Sequence, residues 1–93
     1  METVTAHAPE LTRLILERLA YLQRIRKAVL ASFGPGEADD RMRASLVAAH
    51  AARALDVEDS PWFRKDVRLA MRAHGWRDIK AENVRLWKGV KAL

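Results

Sequence analysis

The chain contains no cysteine, which excludes a disulfide framework, a thiolate nucleophile and a thiolate-ligated metal. That absence suits a reducing compartment, so the cytoplasm is the expected location. No stretch approaches the ~18 uninterrupted apolar residues of a transmembrane helix, so no membrane partner is expected. Met1-Glu2-Thr3-Val4 lacks the basic region and apolar core of a secretory signal. There is no internal repeat and no low-complexity segment. What is present is 93 residues, 49% hydrophobic and 31% charged. This is the composition of one globular domain near the small end of what folds alone.

The net charge of +5 is unevenly placed. Residues 1–60 balance to −1, with 8 Lys/Arg against 9 Asp/Glu. Residues 61–93 carry 9 Lys/Arg against Asp66, Asp78 and Glu82, a balance of +6. An excess confined to the last third points to a polyanionic partner, with nucleic acid ahead of an anionic membrane surface. The plainer alternative is a solvated basic face.

Hydrophobic spacing predicts three helices. Residues 1–8 show no period and read as a disordered tail. Pro9 then opens a long helix over residues 9–33, with Leu11, Leu14, Ile15, Leu19, Leu22, Ile25, Val29 and Phe33 at helical spacing. Leu16, Tyr21 and Leu30 widen its apolar surface beyond one stripe, so a second partner is expected there. Leu11, Leu14, Leu22, Ile25 and Val29 are the candidate interface, for a homodimer or for another protein. Gly34-Pro35-Gly36 ends that helix. Asp39 or Asp40 is expected to cap the next one, an alanine-rich segment running to about Leu55.

Ser60-Pro61 is a helix start, a capping hydroxyl followed by proline at the first position. The third helix runs from Pro61 to His74, with Phe63, Val67, Ala70, Met71 and His74 on one side. Arg64, Lys65, Arg68 and Arg72 lie on an adjacent arc. After Gly75 the period changes. Trp76 to Lys80 and Val84 to Val90 read as two strands joined through Ala81-Glu82-Asn83. The expected fold is mainly α: three helices plus a C-terminal β-hairpin. Its parts are the long helix, a helix-turn-helix over residues 38–75 and a hairpin wing over 76–93. This is the order of a winged helix-turn-helix, whose third helix enters the major groove.

The stretch Phe63-Arg64-Lys65-Asp66-Val67-Arg68-Leu69-Ala70-Met71-Arg72-Ala73-His74-Gly75-Trp76 carries a family resemblance, together with Val84-Arg85-Leu86-Trp87-Lys88-Gly89-Val90. It resembles the winged-helix module that closes many phage and plasmid primase-helicases. Those modules carry a helix ending in Gly-aromatic and a basic hairpin whose last strand has an aromatic followed by a basic residue. The resemblance covers the last third of the chain and implies a DNA-binding accessory fold. It does not extend further, since the chain has no phosphate-binding loop and no primase carboxylate cluster.

The expected function is therefore duplex DNA binding, by a small phage or mobile-element regulator or a replication accessory protein. Arg64, Arg68 and Arg72 would face the groove, where arginine's planar fork can read guanine. Lys65 and the hairpin residues Arg77, Lys80, Arg85 and Lys88 would contact phosphate. The alternative is an adaptor or inhibitor that grips a host or phage protein through the apolar first helix. Trp87 is the tryptophan kept as a base-stacking candidate, with Trp76 assigned to the core. His7, His50 and His74 lack metal-ligand spacing, and no serine or acidic pair has a nucleophile or acid–base context. No enzyme activity, metal or cofactor is expected.

Overall fold

A computed structural model describes residues 2–93, with side chains described for residues 9–93. The first helix, α1, spans Glu2–Leu30, about 44 Å at 1.5 Å per residue. It begins earlier than its apolar period, so the tail expected over residues 1–8 is helical backbone from Glu2; Met1 lies outside the described residues. Pro9 sits inside the helix rather than opening it. Proline's fixed φ is helical, and Pro9 itself is exposed, so its ring meets no packed neighbour there.

The helix also stops earlier than expected, at Leu30. Gly34 precedes Pro35 and is biased towards extended backbone, and Phe33–Pro35 forms a short strand, β1. Phe33 is buried there instead of extending α1.

The second helix does not start at an aspartate. Arg41–Arg43 forms a strand, β2, and α2 runs over Ala44–Leu55 with Arg43 at its N-cap and no side-chain cap. Asp40 closes the preceding turn instead, its Oδ2 accepting from the Glu37 backbone N–H at 2.7 Å. Helix α3, Pro61–Ala73, starts as the sequence predicts, with Ser60 Oγ accepting from the Phe63 N–H at 3.1 Å. It ends at Gly75, φ +105°. The Gly75 and Trp76 N–H groups there donate to the Arg72 and Met71 carbonyls, both at 3.0 Å, which is the Schellman arrangement.

The hairpin comprises β3, Arg77–Ala81, and β4, Val84–Lys88. Its turn is the two-residue Glu82-Asn83, with φ of +50° and +66°, the left-handed pair that a type I′ turn requires. The strand expected over residues 84–90 breaks at Gly89, φ +68°. Beyond it β5, Val90–Ala92, leaves the hairpin and pairs with β1.

Two antiparallel sheets result among the described residues, one ordered β1-β5 and the other β2-β4-β3. The fold is thus a small mixed α/β structure rather than a mainly α one with a lone hairpin. One core joins all of it. Ile25 and Val29 of α1, Val47 and Ala51 of α2, Phe63, Val67 and Met71 of α3, and Trp87 of β4 are buried together. The alanines of α2 let its neighbours approach closely, while the aromatic rings fill the volume between helices and sheet. Trp87, read from the sequence as a base-stacking candidate, is wholly buried, whereas Trp76 is only half-buried.

The Glu82 backbone conformation costs a side chain bearing Cβ roughly 1 kcal/mol or more. Replacing Glu82-Asn83 by Asn-Gly is expected to recover about 1 kcal/mol. Thermal unfolding followed by circular dichroism should show this as a rise of about 4–8 °C in Tm.

Candidate nucleic-acid interface

Helix α3 buries Phe63, Val67, Ala70 and Met71, so its helical period turns Arg64, Lys65, Arg68 and Arg72 away from the core. The row is anchored at both ends by acids from outside the helix. Arg64 makes a two-pronged bond to Asp59, with Nε–Oδ1 at 2.9 Å and Nη2–Oδ2 at 3.1 Å. Arg72 does the same to Asp78 of β3, both bonds at 2.9 Å. Arg85 of β4 also donates to Asp78. Asp66, the one acid within the row, faces the other way and pairs with Arg18 of α1, Nη1–Oδ2 at 3.2 Å. Arg68, between the two anchors, is half-buried and has no acidic partner among the described residues.

These anchors shape the titration of the site. The Asp59 hydrogen bond raises Arg64 above its ordinary pKa, and the Asp78 hydrogen bond does the same for Arg72. The Asp78 carboxyl is held down to about 2, from 3.8, chiefly by its bond to Arg72 and then by Arg85, with burial opposing both.

Between α2, α3 and the sheet lies a cleft of about 480 Å³. Its polar wall includes Arg43, Ser45, Arg64, Arg68, Asn83 and Arg85; Ala48, Val67, Val84 and Trp87 form the apolar part. Arg43, Ala44 and Ser45 open the first turn of α2, which has neither a side-chain cap nor an acidic residue. That turn therefore adds the positive end of a helix dipole to a lining that includes four arginines, of which Arg43 shares its strand face with Arg41. Chemically, the cleft is suited to receive anionic oxygens against an apolar floor.

The sheet divides the remaining cations between its faces. Register pairs Lys80 with Arg85 and Asp78 with Trp87, and the two-residue alternation sets both pairs on the inner face. Arg77 and Lys88 are cross-strand partners on the outer face, where Arg41 of β2 lies on the other side of Lys88. Three cations thus stand in a row across three strands. No acid pairs with them among the described residues, although Arg41 donates to the Ala38 and Asp40 carbonyls at 2.8 and 2.9 Å. Like charges directly opposite on a sheet destabilise it, so this row is held against local repulsion.

Of the expected contact residues, the structure gathers Arg64, Arg68 and Arg85 at the cleft and ties Arg72 to Arg85 through Asp78. Lys65 is exposed on α3 and Lys80 on β3, while Arg77 and Lys88 belong to the outer row. Arg41 and Arg43 were missed by the sequence reading. They precede α2 in a segment read as loop and helix start, and only pairing with β4 places them. Trp62, 77% exposed at the start of α3, replaces Trp87 as the tryptophan available to a partner. The expected helix interface also divides: Ile25 and Val29 are buried in the chain's own core and Leu22 packs against it, whereas Leu11 and Leu14 stay exposed. His50 packs edge-on against Phe33, ring centroids 5.3 Å apart, and His74 similarly against Trp76 at 5.6 Å.

Two measurements follow from this arrangement. A carboxylate with a depressed folded-state pKa stabilises the protein above its unfolded value and loses that contribution as pH falls through the folded value. Asp78→Asn is expected to cost about 1–2 kcal/mol at pH 7, allowing for half-exposed guanidinium partners. Urea titrations across pH should show wild type and variant converging as pH falls from about 4 towards 2. Lys88→Thr, which removes the middle cation of the outer row, is expected to raise stability by roughly 0.5–1 kcal/mol at low salt. The gain should shrink as added salt screens the repulsion.

Comparison of the chain with protein-family models, with curated proteins and with solved structures finds no match.

Proposed function

We propose that this chain is a winged helix-turn-helix module that binds duplex DNA, with α3 in the major groove and the β3–β4 hairpin as the wing. The element order supports the winged reading. Strand β2 precedes α2 and joins the hairpin to give a three-stranded sheet beside α2 and α3. The observation that carries the functional reading is the gathering of Arg64 and Arg68 of α3 and Arg85 of β4 on one cleft, beside Arg43 at the N-cap of α2. Asp59 and Asp78 are the acids bonded among them. Such an arrangement suits a phosphate backbone, whose dense negative charge supplies most of non-specific affinity.

Within this reading the residues divide by role. Arg68 is the base-reading candidate: it has no acidic partner among the described residues, it projects from the middle of α3, and its fork suits guanine O6 and N7. Arg64 and Arg72 are held by Asp59 and Asp78 with their guanidinium groups half-exposed, side chains oriented in advance and able to meet phosphate oxygens. Lys65, Lys80 and the outer row of Arg41, Lys88 and Arg77 are phosphate contacts, which position the protein without reading sequence. Regulation of a mobile element and service in its replication both fit a module of this kind.

Fluorescence anisotropy with a labelled random-sequence duplex, across a salt series, tests the proposal. Dissociation constants of about 10⁻⁴–10⁻⁶ M with a steep salt dependence are expected. Single variants suit the test better than charge reversal of the whole row, because glutamate at position 64 or 72 would face Asp59 or Asp78. Lys88→Thr is expected to weaken binding on every sequence and lower the salt slope by about one phosphate contact. On a selected preferred site, Arg68→Ala should cost ~1–3 kcal/mol and relax specificity. Absence of binding even at low salt, or variants indistinguishable from wild type, would overturn the reading.

A further inference from the structure

Among the described residues, the large apolar side chains of α1 from Leu11 to Leu19 stay uncovered. Leu11 is 59% exposed, Leu14 51%, Ile15 60%, Leu16 60% and Leu19 51%. The cause is a mismatch of lengths. Helices α2 and α3 have 12 and 13 residues and pack on a helix of 29. Contact with the rest of the chain is already made at Arg18, through its pair with Asp66, and Ile25 and Val29 beyond it are fully buried. At 100° per residue, Leu11, Leu14 and Ile15 continue the face that carries Leu22, Ile25 and Val29. The core-facing stripe of α1 therefore runs on past the body that buries it, within a chain measuring 55 × 24 × 23 Å. A contiguous row of large apolar side chains of this kind marks an interaction surface.

We propose that this surface binds a second copy of the chain, with the two α1 helices antiparallel about a two-fold axis at Ile15. Two features favour that occupant and orientation. First, the row is self-complementary. Leu11, Ile15 and Leu19 follow one another at four-residue intervals, a ridge of the kind that packs into the groove of a facing helix. Rotation about Ile15 sets Leu11 against the partner's Leu19 and Ile15 against its own copy, with Leu14 on one flank and Leu16 on the other, each on the side of its own counterpart, as an isologous interface demands. Second, the same face of α1 carries the chain's own α2 and α3 further along. A parallel pairing through it would drive the two bodies into one space, whereas an antiparallel pairing sets them at opposite ends. It also keeps apart the two C-terminal thirds, each with a balance of +6. The Arg13–Glu17 pair, 3.8 Å apart, lies on the opposite side of the helix and stays in water.

The proposal stands apart from the DNA reading, because none of its residues belongs to the cleft or the outer row. The absence of cysteine makes it directly testable, since a single introduced thiol has only its own copy to pair with. Sedimentation equilibrium of the whole chain is expected to give the mass of two chains, and Ile15→Glu should weaken the dimer by roughly 100-fold or more. Circular dichroism should show the variant still folded, because position 15 is exposed. Under mild oxidation Ile15→Cys is expected to form a covalent dimer, and Glu17→Cys, on the far side of the helix, to form none. A mixture of Leu11→Cys and Leu19→Cys chains should cross-link as the mixed pair in preference to either like pair. A monomer at roughly 100 µM overturns the proposal and leaves the face to an unlike protein. Preferential like-with-like cross-linking of Leu11→Cys overturns the antiparallel arrangement.

Discussion

Trp87 stands near the end of the central strand of the three-stranded sheet, wholly buried, with Met42 of β2 on one side and Asp78 of β3 on the other. Much of the molecule is set by keeping that indole in the core. It fixes which face of β4 points inward, and a slip of one residue would exchange the faces and put Lys88 into the interior. It leaves Arg85 on the inner side, where Asp78 joins it to Arg72 and so ties the sheet to the end of α3. Among the described residues no group accepts a hydrogen bond from the indole Nε1.

The arrangement of charge follows from the same frame. Three acids, Asp59, Asp66 and Asp78, orient four arginines, and each acid comes from a different element from its partners or from the loop just before α3. Exposed ion pairs contribute little to stability. Their larger consequence is preorganisation, since a guanidinium already held in place loses less freedom when it meets an anion. Against that ordered set stand Arg68, without an acidic partner among the described residues, and the Arg41–Lys88–Arg77 row, which the sheet holds against its own repulsion. Under the DNA-binding proposal these are the cations left to meet DNA.

Helix α1 plays two parts because its length exceeds that of the body. Its second half closes the core through Ile25 and Val29, while its first half presents leucines and an isoleucine to solvent. A periodic apolar stripe is indifferent to which neighbour covers it. The side chains expected to form one continuous interface are therefore shared between an intramolecular core and a surface still open to a partner.

Local chemistry was enough for the existence of three helices, for both ends of α3 and for the basic third. The start of α3 at Ser60-Pro61, its stop at Gly75, the break after α1 and the basic arc of Arg64, Arg68 and Arg72 are all properties of neighbouring residues. Each could be read from capping groups, missing N–H donors or a 3.6-residue period. The three-residue strands β1, β2 and β5 were not legible, because three residues cannot display an alternation and their pairing is with distant segments. The displaced cap at Asp40, the strand break at Gly89 and the inclusion of Arg41 and Arg43 in the site follow from those pairings. So does the reversal of the tryptophans. A strand tryptophan between basic residues looks like a surface group until the sheet turns its side inward, and one at a helix start looks ordinary until nothing packs over it. Which arginines are tethered, and to which acid, depended likewise on contacts between segments, a relation that spacing along the chain does not encode.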